Sequence, residues 1–200
     1  MARKITGVFR NVNLQVPAGK SLAITGPSGC GKSTLLAILM GLVQPEEGEV
    51  LWNGVVIGPS NREAYRSQIA GVLQDDILLS GSIAENIAGF DENIDLIRVA
   101  ECARDAQILA DIQRMPMNFD TLVSEMGHTL SGGQRQRIIL ARALYRKPKI
   151  LFLDKATSNL DVKAEQSIEN NLVSIETTRI IVTHRGETLQ RSGYVFAMQY

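Results

Sequence analysis

The residues with the clearest chemistry form a glycine-rich tract near the start of the chain. The tract fits the pattern G-x-x-x-x-G-K-[ST], in which backbone N–H groups surround phosphates and glycines let the backbone approach them closely. In this pattern Lys32 is expected to neutralise the terminal phosphates, Ser33 to coordinate Mg²⁺ and Thr34 to bond a nearer phosphate. The tract predicts nucleotide binding, although by itself it does not separate an ATPase from a GTPase or a small-molecule kinase. Its residues are Gly26, Pro27, Ser28, Gly29, Cys30, Gly31, Lys32, Ser33 and Thr34.

An aspartate follows a short apolar run much later in the chain. Residues 150–153 are apolar, and Asp154 comes directly after them. In phosphate-loop proteins a carboxylate at the end of such a strand lies beside the cation and organises its water shell. Asp154 is therefore a predicted magnesium residue. A helix-capping aspartate is the alternative, because Thr157 and Ser158 follow closely.

A second tract, about a hundred residues after the first, combines a serine and two glycines at a predicted helix N-terminus. Unpaired N–H groups and the helix dipole favour an anion at such a position. A simple glycine turn before a helix is the alternative, but it explains only the two glycines and not the whole string. The tract consists of Leu130, Ser131, Gly132, Gly133 and Gln134.

Together the two tracts resemble the ATP-binding cassette of ABC transporters, and Arg135, Gln136 and Arg137 extend the match. The resemblance covers roughly residues 8–189. It implies that the ligands are ATP and Mg²⁺. It also implies a second cassette as partner, because in the family the tract at residues 130–134 caps the ATP held by the opposite subunit. Two cassettes then enclose two nucleotides in a head-to-tail dimer.

The resemblance assigns roles to three further residues. Gln74 matches a glutamine that touches the metal and its water and senses the membrane domain. His184 matches a histidine whose ring nitrogen bonds the γ-phosphate, and Asp161 matches a loop that crosses the dimer interface. The alternatives are a surface glutamine, a structural histidine and a helix-capping aspartate.

Lys155 departs from the family pattern, which has a catalytic glutamate at this position. A glutamate accepts or orients the proton of the attacking water, whereas an ammonium only donates hydrogen bonds. General base catalysis contributes roughly 10² to 10⁴-fold to a rate, so we expect slow or absent hydrolysis. An ammonium beside the γ-phosphate would instead stabilise bound ATP by Coulomb attraction. The alternative is a neutral Lys155 that itself serves as the base.

Two groups of segments indicate the subtype. Residues 80–87 and 121–127 look like those of exporter cassettes, in which Glu125 lies near the coupling helices of the membrane domain. Residues 74–87, 114–117 and 140–146 are similar to the peptidase-containing bacteriocin exporters of the colicin V type. The resemblance implies a transmembrane domain, fused or separate, and a location at the cytoplasmic face of the membrane.

Two other function classes stay open. One is a non-catalytic ATP-binding or interaction module, which would be a degenerate or truncated cassette. The other is a soluble ABC ATPase of DNA repair or chromosome maintenance, although the short span between the two tracts has no long coiled-coil insertion and the segment around Glu125 resembles exporters.

Composition is that of an ordinary globular domain. The chain has 200 residues, of which 44% are hydrophobic and 21% charged, and its formal net charge is zero. This balance gives no electrostatic argument for a nucleic-acid partner, and we expect none. Cys30 and Cys102 form no disulfide framework. We expect one nucleotide-binding domain over residues 1–200, apparently truncated at both ends.

Hydrophobic periodicity predicts the elements that position these residues. A hairpin of strands 11–16 and 21–25 precedes the phosphate loop, and a helix over 32–41 follows it. Helical spacing over 82–115 predicts a separate lobe, with Ile83, Ile87, Ile94, Ile97, Ala100 and Cys102 buried. The other predicted strands are 49–54 with an Asn-Gly turn, 69–73, 150–153 and 179–183, and the other predicted helices are 132–147 and 162–175.

These elements predict an α/β protein with the phosphate-loop NTPase fold of the ABC ATPase type. Strands separated by helices form βαβ units, which favour a mostly parallel central sheet. We also expect a small antiparallel β region near the N-terminus and an inserted helical lobe at about residues 76–147.

Overall fold

A computed structural model of the protein describes residues 9–123, 130–156 and 162–199, without the side chains of residues 162 and 163. Within these residues the central sheet has five strands in the order β4-β7-β8-β1-β9, and every neighbouring pair is parallel. Two short antiparallel pairs, β2-β3 and β5-β6, accompany it. The strands are β1 (Ser21–Thr25), β2 (Leu51–Trp52), β3 (Val55–Val56), β4 (Ile69–Val72), β5 (Gly81–Ser82), β6 (Leu122–Val123), β7 (Ile150–Asp154), β8 (Thr178–Val182) and β9 (Tyr194–Ala197).

The helices lie on both sides of the central sheet and in a lobe beside it. α1 follows the phosphate loop directly, as predicted, and α7 connects the neighbouring strands β7 and β8 in the predicted βαβ unit. A 3-10 turn covers Asn118–Asp120. The helices are α1 (Lys32–Leu39), α2 (Arg62–Ser67), α3 (Ile83–Ala88), α4 (Leu96–Asp105), α5 (Leu109–Gln113), α6 (Gly132–Tyr145), α7 (Val162–Ser174) and α8 (Gly186–Arg191).

Alternate side chains of the interior strand β7 belong to two different hydrophobic clusters. Leu151 and Leu153 pack with the helical lobe, whereas Phe152 packs with α1 and α2 on the opposite face. Successive side chains of a strand point to opposite faces, so a strand buried on both faces is apolar throughout. This is why residues 150–153 form a continuous apolar run. None of the helices in the described part of the chain is long and apolar enough to cross a membrane.

The helical lobe has the predicted place in the chain, between β4 and β7. Ile83, Ile87 and Cys102 are buried as predicted, and Ile94 and Ala100 are partly buried. The prediction for Ile97 is wrong, because its side chain is 77% exposed. The buried residues of α4 are Val99, Cys102 and Ala103, which follow the helical spacing of three and four. A residue two positions before Val99 faces away from that stripe.

The predicted hairpin before the phosphate loop is also wrong. Residues 11–16 belong to no strand of the structure, and β1 pairs in parallel with β8 and β9 instead. Val12, Leu14 and Val16 are partly buried against the core, whereas the residues between them are exposed. Alternating burial is a property of any extended segment that lies on a core, and it does not require hydrogen bonds to a neighbouring strand.

The antiparallel pair β2-β3 agrees with the prediction from the Asn-Gly dipeptide. Asn53 and Gly54 have positive φ angles of 51° and 78°. Two consecutive positive φ angles characterise the type I′ turn that joins hairpin strands. The second pair, β5-β6, was not predicted, because it joins segments about forty residues apart in the chain.

Candidate nucleotide-binding site

The phosphate loop, Gln74, Lys155 and His184 lie at one edge of the central sheet. The phosphate loop follows β1, Gln74 follows β4 after a short connection, Lys155 follows β7, and His184 lies just beyond β8. Because these strands are parallel, their carboxyl ends lie at the same edge, where open α/β sheets bind ligands. Neighbouring strands are about 4.8 Å apart, so residues distant in sequence come close together here.

The phosphate loop requires glycine at specific positions. Gly26, Gly29 and Gly31 have φ angles of 144°, 85° and 95°. A Cβ atom on Gly26 would lie 2.5 Å from the carbonyl oxygen of Met198, which follows the edge strand β9. Such a contact is too short for any other residue, so Gly26 is needed for packing as well as for its backbone angles. The loop thus passes closely against the end of β9 on its way to α1.

The side chain of Lys32 is buried within this loop. Its Nζ donates hydrogen bonds to the carbonyl oxygens of Gly26 at 2.8 Å and Pro27 at 2.7 Å, and lies 3.8 Å from Cys30 Sγ. The ammonium is therefore held at the centre of the loop. A phosphate bound by the loop would meet this positive charge directly.

Ser33 and Asp154 connect the loop to the centre of the sheet. Ser33 Oγ donates a hydrogen bond of 2.7 Å to Asp154 Oδ2. Asp154 is buried, and its other oxygen, Oδ1, has no hydrogen-bond partner among the described residues. A buried carboxylate oxygen without a donor is costly, and a hard cation with oxygen ligands would satisfy it. These two residues therefore fit Mg²⁺, which would supply charge neutralisation for bound phosphates.

Lys155 and Gln74 are in direct contact. Lys155 Nζ donates a hydrogen bond of 2.9 Å to Gln74 Oε1. The backbone N–H of Lys155 donates to the Val182 carbonyl at 3.3 Å, and its own carbonyl accepts a 2.8 Å bond from Gln136 Nε2. Lys155 has a φ angle of 52°, in the left-handed region that side chains disfavour. Contacts with three different parts of the fold therefore hold this residue in a strained conformation.

Gln136 was not predicted as a site residue. It lies on α6, two residues beyond the tract at residues 130–134, and its amide binds the residue next to Asp154. The tract extended the family resemblance through Gln136, but its spacing carries no information about a contact with Lys155. That contact depends on how the helical lobe packs against the sheet.

His184 is exposed at the end of β8, between two fixed neighbours. The backbone N–H of Thr183 donates to the Ile24 carbonyl at 3.1 Å, which ties this point to β1. On the other side, the guanidinium of Arg185 forms an ion pair with the buried carboxylate of Glu165 on α7. The backbone at His184 is therefore held from both directions, while its ring remains accessible.

The serine and glycine tract begins α6, as predicted. Ser131 is the N-cap residue: its Oγ accepts from the Gln134 backbone N–H at 3.2 Å, and Gln134 Oε1 accepts from the Ser131 N–H at 2.9 Å. Arg137 donates to the Gly133 carbonyl at 3.3 Å and forms an ion pair of 2.8 Å with Asp111 on α5. The tract is thus a fixed helix N-terminus within the helical lobe.

Two of the predicted functional residues lie outside the part of the chain that the structure describes. These are Asp161, assigned to the dimer interface, and Glu125, assigned to the contact with a membrane domain. Thr157 and Ser158, on which the capping alternative for Asp154 rests, lie outside it as well.

A phosphate loop between β1 and α1, with a serine bonded to the aspartate that ends β7, defines the phosphate-loop class of nucleotide-binding folds. Within that class, the family model described as "ABC transporter" matches residues 9–158. The chain therefore belongs to the ABC transporter family.

Named relatives indicate the branch of that family. The chain is 50% identical over 183 residues to the probable microcin-H47 secretion/processing ATP-binding protein of Escherichia coli, which covers 92% of this chain and 26% of the relative. It is 49% identical over 191 residues to the colicin V secretion/processing ATP-binding protein of the same organism, covering 96% and 27%. The chain thus spans about a quarter of the length of these relatives.

A solved structure supports the same assignment at the level of the fold. The chain matches a bacterial Atm1-family ABC exporter with ATP bound, with a TM-score of 0.91 and 34% identity, over 96% of this chain and 34% of the exporter chain. The predicted fold class is confirmed. The chain is an exporter-type ABC nucleotide-binding domain, related to bacteriocin secretion proteins.

Proposed function

We propose that this chain binds MgATP at the phosphate loop and powers export as part of an ABC transporter. The Ser33–Asp154 hydrogen bond carries the proposal, because it joins the two predicted magnesium residues at the mouth of the loop. Lys32 and the loop backbone bind the phosphates, while Ser33 and Asp154 hold the cation. His184 binds the γ-phosphate, and Gln74 lies beside the metal site.

A second cassette completes the nucleotide site. The N-terminus of α6, with Ser131, Gly132 and Gly133, caps the ATP bound by the partner, and the partner's equivalent tract caps the ATP bound here. The exposed position of Ser131 and the helix dipole both favour an incoming anion. Asp161 lies on the loop that crosses this interface. Either a homodimer or a heterodimer satisfies this arrangement.

The transmembrane partner docks on the surface of the helical lobe, which exposes large apolar side chains. Ile77 is 68% exposed and Leu122 is 72% exposed, although both are large apolar residues. Arg142 fixes the backbone of this surface by donating to the Ile77 carbonyl at 3.1 Å and to the Asn86 carbonyl at 2.9 Å. Burial lowers the pKa of Arg142, and Asp76 opposes that shift. A rigid backbone with exposed apolar side chains suits a protein partner.

The exported substrate is a peptide of the bacteriocin type. This proposal rests on the names of the two relatives, which are secretion/processing proteins for microcin H47 and colicin V. In this proposal a membrane domain supplies the substrate-binding part of the transporter.

Hydrolysis at this chain's own site is slow. Lys155 offers only hydrogen-bond donors to the attacking water, and its ammonium bonds to Gln74. That contact also favours a second candidate function, a non-catalytic cassette that binds ATP and stabilises the dimer without releasing phosphate.

The test combines two measurements on the purified chain at concentrations high enough to form dimers. Binding of a fluorescent ATP analogue is measured beside phosphate release with magnesium and ATP. Binding with little release is the expected result. Brisk release would show that another group activates the water, and absence of binding would overturn the nucleotide-binding proposal altogether.

A further inference from the structure

The ammonium of Lys155 lies where the family resemblance places a metal contact. Gln74 Oε1, the oxygen expected to touch magnesium, accepts a 2.9 Å hydrogen bond from Lys155 Nζ. We infer that the Lys155 ammonium acts as a cation of the nucleotide site. It occupies the Gln74 oxygen and makes nucleotide binding only weakly dependent on divalent cations. The inference rests on the proposed function, since it concerns the same nucleotide.

Electrostatics set the ammonium and the dication in competition at Gln74. An amide oxygen bonded to an ammonium keeps a lone pair, but a dication at that lone pair would lie within a few ångströms of another positive charge. The repulsion between them disfavours joint occupancy. Ser33 and Asp154 remain as metal ligands, so magnesium still binds, but with one protein oxygen fewer.

The fold fixes the backbone of Lys155, from which its exposed side chain reaches Gln74. The N–H of Lys155 is bonded to Val182 at the end of β8, its carbonyl to Gln136 on α6 and its ammonium to Gln74 beyond β4. A lysine with a φ angle of 52° is held against its own backbone preference, and such strain persists only where the surroundings impose it. The ammonium therefore starts from a defined place at the nucleotide edge of the sheet.

The expected effect of the Lys155 ammonium on nucleotide binding follows from the charge of the triphosphate. The triphosphate of ATP carries several negative charges, which in phosphate-loop proteins are neutralised by the loop lysine and by magnesium. This chain offers the ammonium of Lys32 in the loop after β1 and that of Lys155 after β7, at the same edge of the sheet. A second ammonium supplies part of the charge that the metal otherwise provides.

The experiment measures the dissociation constant of a fluorescent ATP analogue in magnesium and in excess EDTA, and compares the ratio of the two values among variants. Lys155→Met removes the ammonium, Lys155→Arg keeps a cation, and Lys155→Gly removes the ammonium while suiting the positive φ angle. Lys147→Met is the matched control, because Lys147 is also exposed, with a φ angle of 51°, and lies beyond the end of α6.

We expect the ratio of the dissociation constant in EDTA to that in magnesium to rise about tenfold in Lys155→Met and Lys155→Gly. A tenfold change corresponds to the loss of one charged hydrogen bond. Lys155→Arg and Lys147→Met should keep the ratio of the native chain. Equal ratios in the native chain and both ammonium-free variants would overturn this inference while leaving nucleotide binding intact. Failure of the native chain to bind ATP in either condition would overturn the proposed function itself.

Discussion

Lys155 is the residue on which the chemistry of this site depends. Its neighbour Asp154 is buried and bonded to Ser33, as a magnesium residue should be, yet the next position carries an ammonium where a catalytic carboxylate is expected. The binding residues and the hydrolytic residue can therefore be tested separately.

Substituting Lys155→Glu should raise the rate of phosphate release by roughly 10² to 10⁴-fold, since it supplies an acceptor for the proton of the attacking water. The rate is measured with saturating magnesium and ATP at dimer-forming concentrations. Lys147→Glu, which makes the same charge change far from the site, should leave the rate unaltered. Equal and brisk turnover in the native chain and in Lys155→Glu would contradict the assignment.

Gly26→Ala and Gly29→Ala form a matched pair within the phosphate loop. Both glycines have positive φ angles, so each alanine costs about 1–3 kcal/mol of backbone strain. A Cβ on Gly29 meets no atom within 4 Å, whereas one on Gly26 collides with the Met198 carbonyl. We expect Gly26→Ala to lower the free energy of unfolding by about 1–3 kcal/mol more, as overpacking does. Chemical denaturation measures the difference. Equal losses of unfolding free energy in the two variants would show that the chain at Met198 moves to accommodate the added Cβ.

At the scale of elements, two helices of the lobe begin with the same local structure. α3 and α6 each start with a capping box, formed by Ser82 with Glu85 and by Ser131 with Gln134. The hydrogen bonds from Ser82 lower the pKa of Glu85. The two boxes stabilise their helices in the same way, but only that of α6 belongs to the proposed dimer interface.

Ser131→Ala and Ser82→Ala should therefore cost similar stability and differ in function. Each loses an N-cap, worth about 1 kcal/mol of unfolding free energy. Only Ser131→Ala should weaken the dimer that forms with ATP, because in the proposed dimer the Ser131 hydroxyl faces the partner's nucleotide and holds the N-terminus of α6 in place. Sedimentation with and without ATP measures dimer formation. Equal dimerisation by the two variants would place the interface elsewhere.

At the scale of the whole molecule, the sheet and the lobe have different proposed binding partners and are connected by a direct contact. In the proposed transporter the edge of the sheet binds the nucleotide, while exposed apolar side chains of the lobe face a membrane domain. Gln136 joins them, because it lies on the lobe and binds the carbonyl of Lys155 at the sheet edge. Movement of the lobe would therefore displace the backbone of Lys155, which lies at the proposed nucleotide site.

Ile77→Asp should weaken the proposed contact with the membrane domain without unfolding the nucleotide-binding domain. The side chain is 68% exposed, so an aspartate there has access to water, but it disrupts an apolar contact with the membrane domain. The control is Val173→Asp on α7, at 67% exposure. Both variants should bind ATP normally. In a chimera where this chain, carrying Lys155→Glu, replaces the matching region of the colicin V secretion protein, only Ile77→Asp should reduce export. Normal export would place the docking surface elsewhere.

Local patterns in the sequence were sufficient to predict many elements of this protein. The phosphate loop, the N-terminus of α6, the Asn-Gly hairpin and the apolar strand before Asp154 each follow from residues that are adjacent in the chain. Their physics is local, since it depends on glycine backbone angles, side-chain capping and the two-residue period of a strand. The family resemblance rests on the same local features.

Only the tertiary structure decided which of these features touch. The bond between Lys155 and Gln74 joins residues 81 positions apart, and the one between Ser33 and Asp154 spans 121. Residues 11–16 show why sequence patterns fail here, because their alternation is that of a strand although no strand in the described part of the chain pairs with them. Contacts between distant segments depend on strand order and lobe packing, and periodicity within one segment carries no record of its neighbours in space.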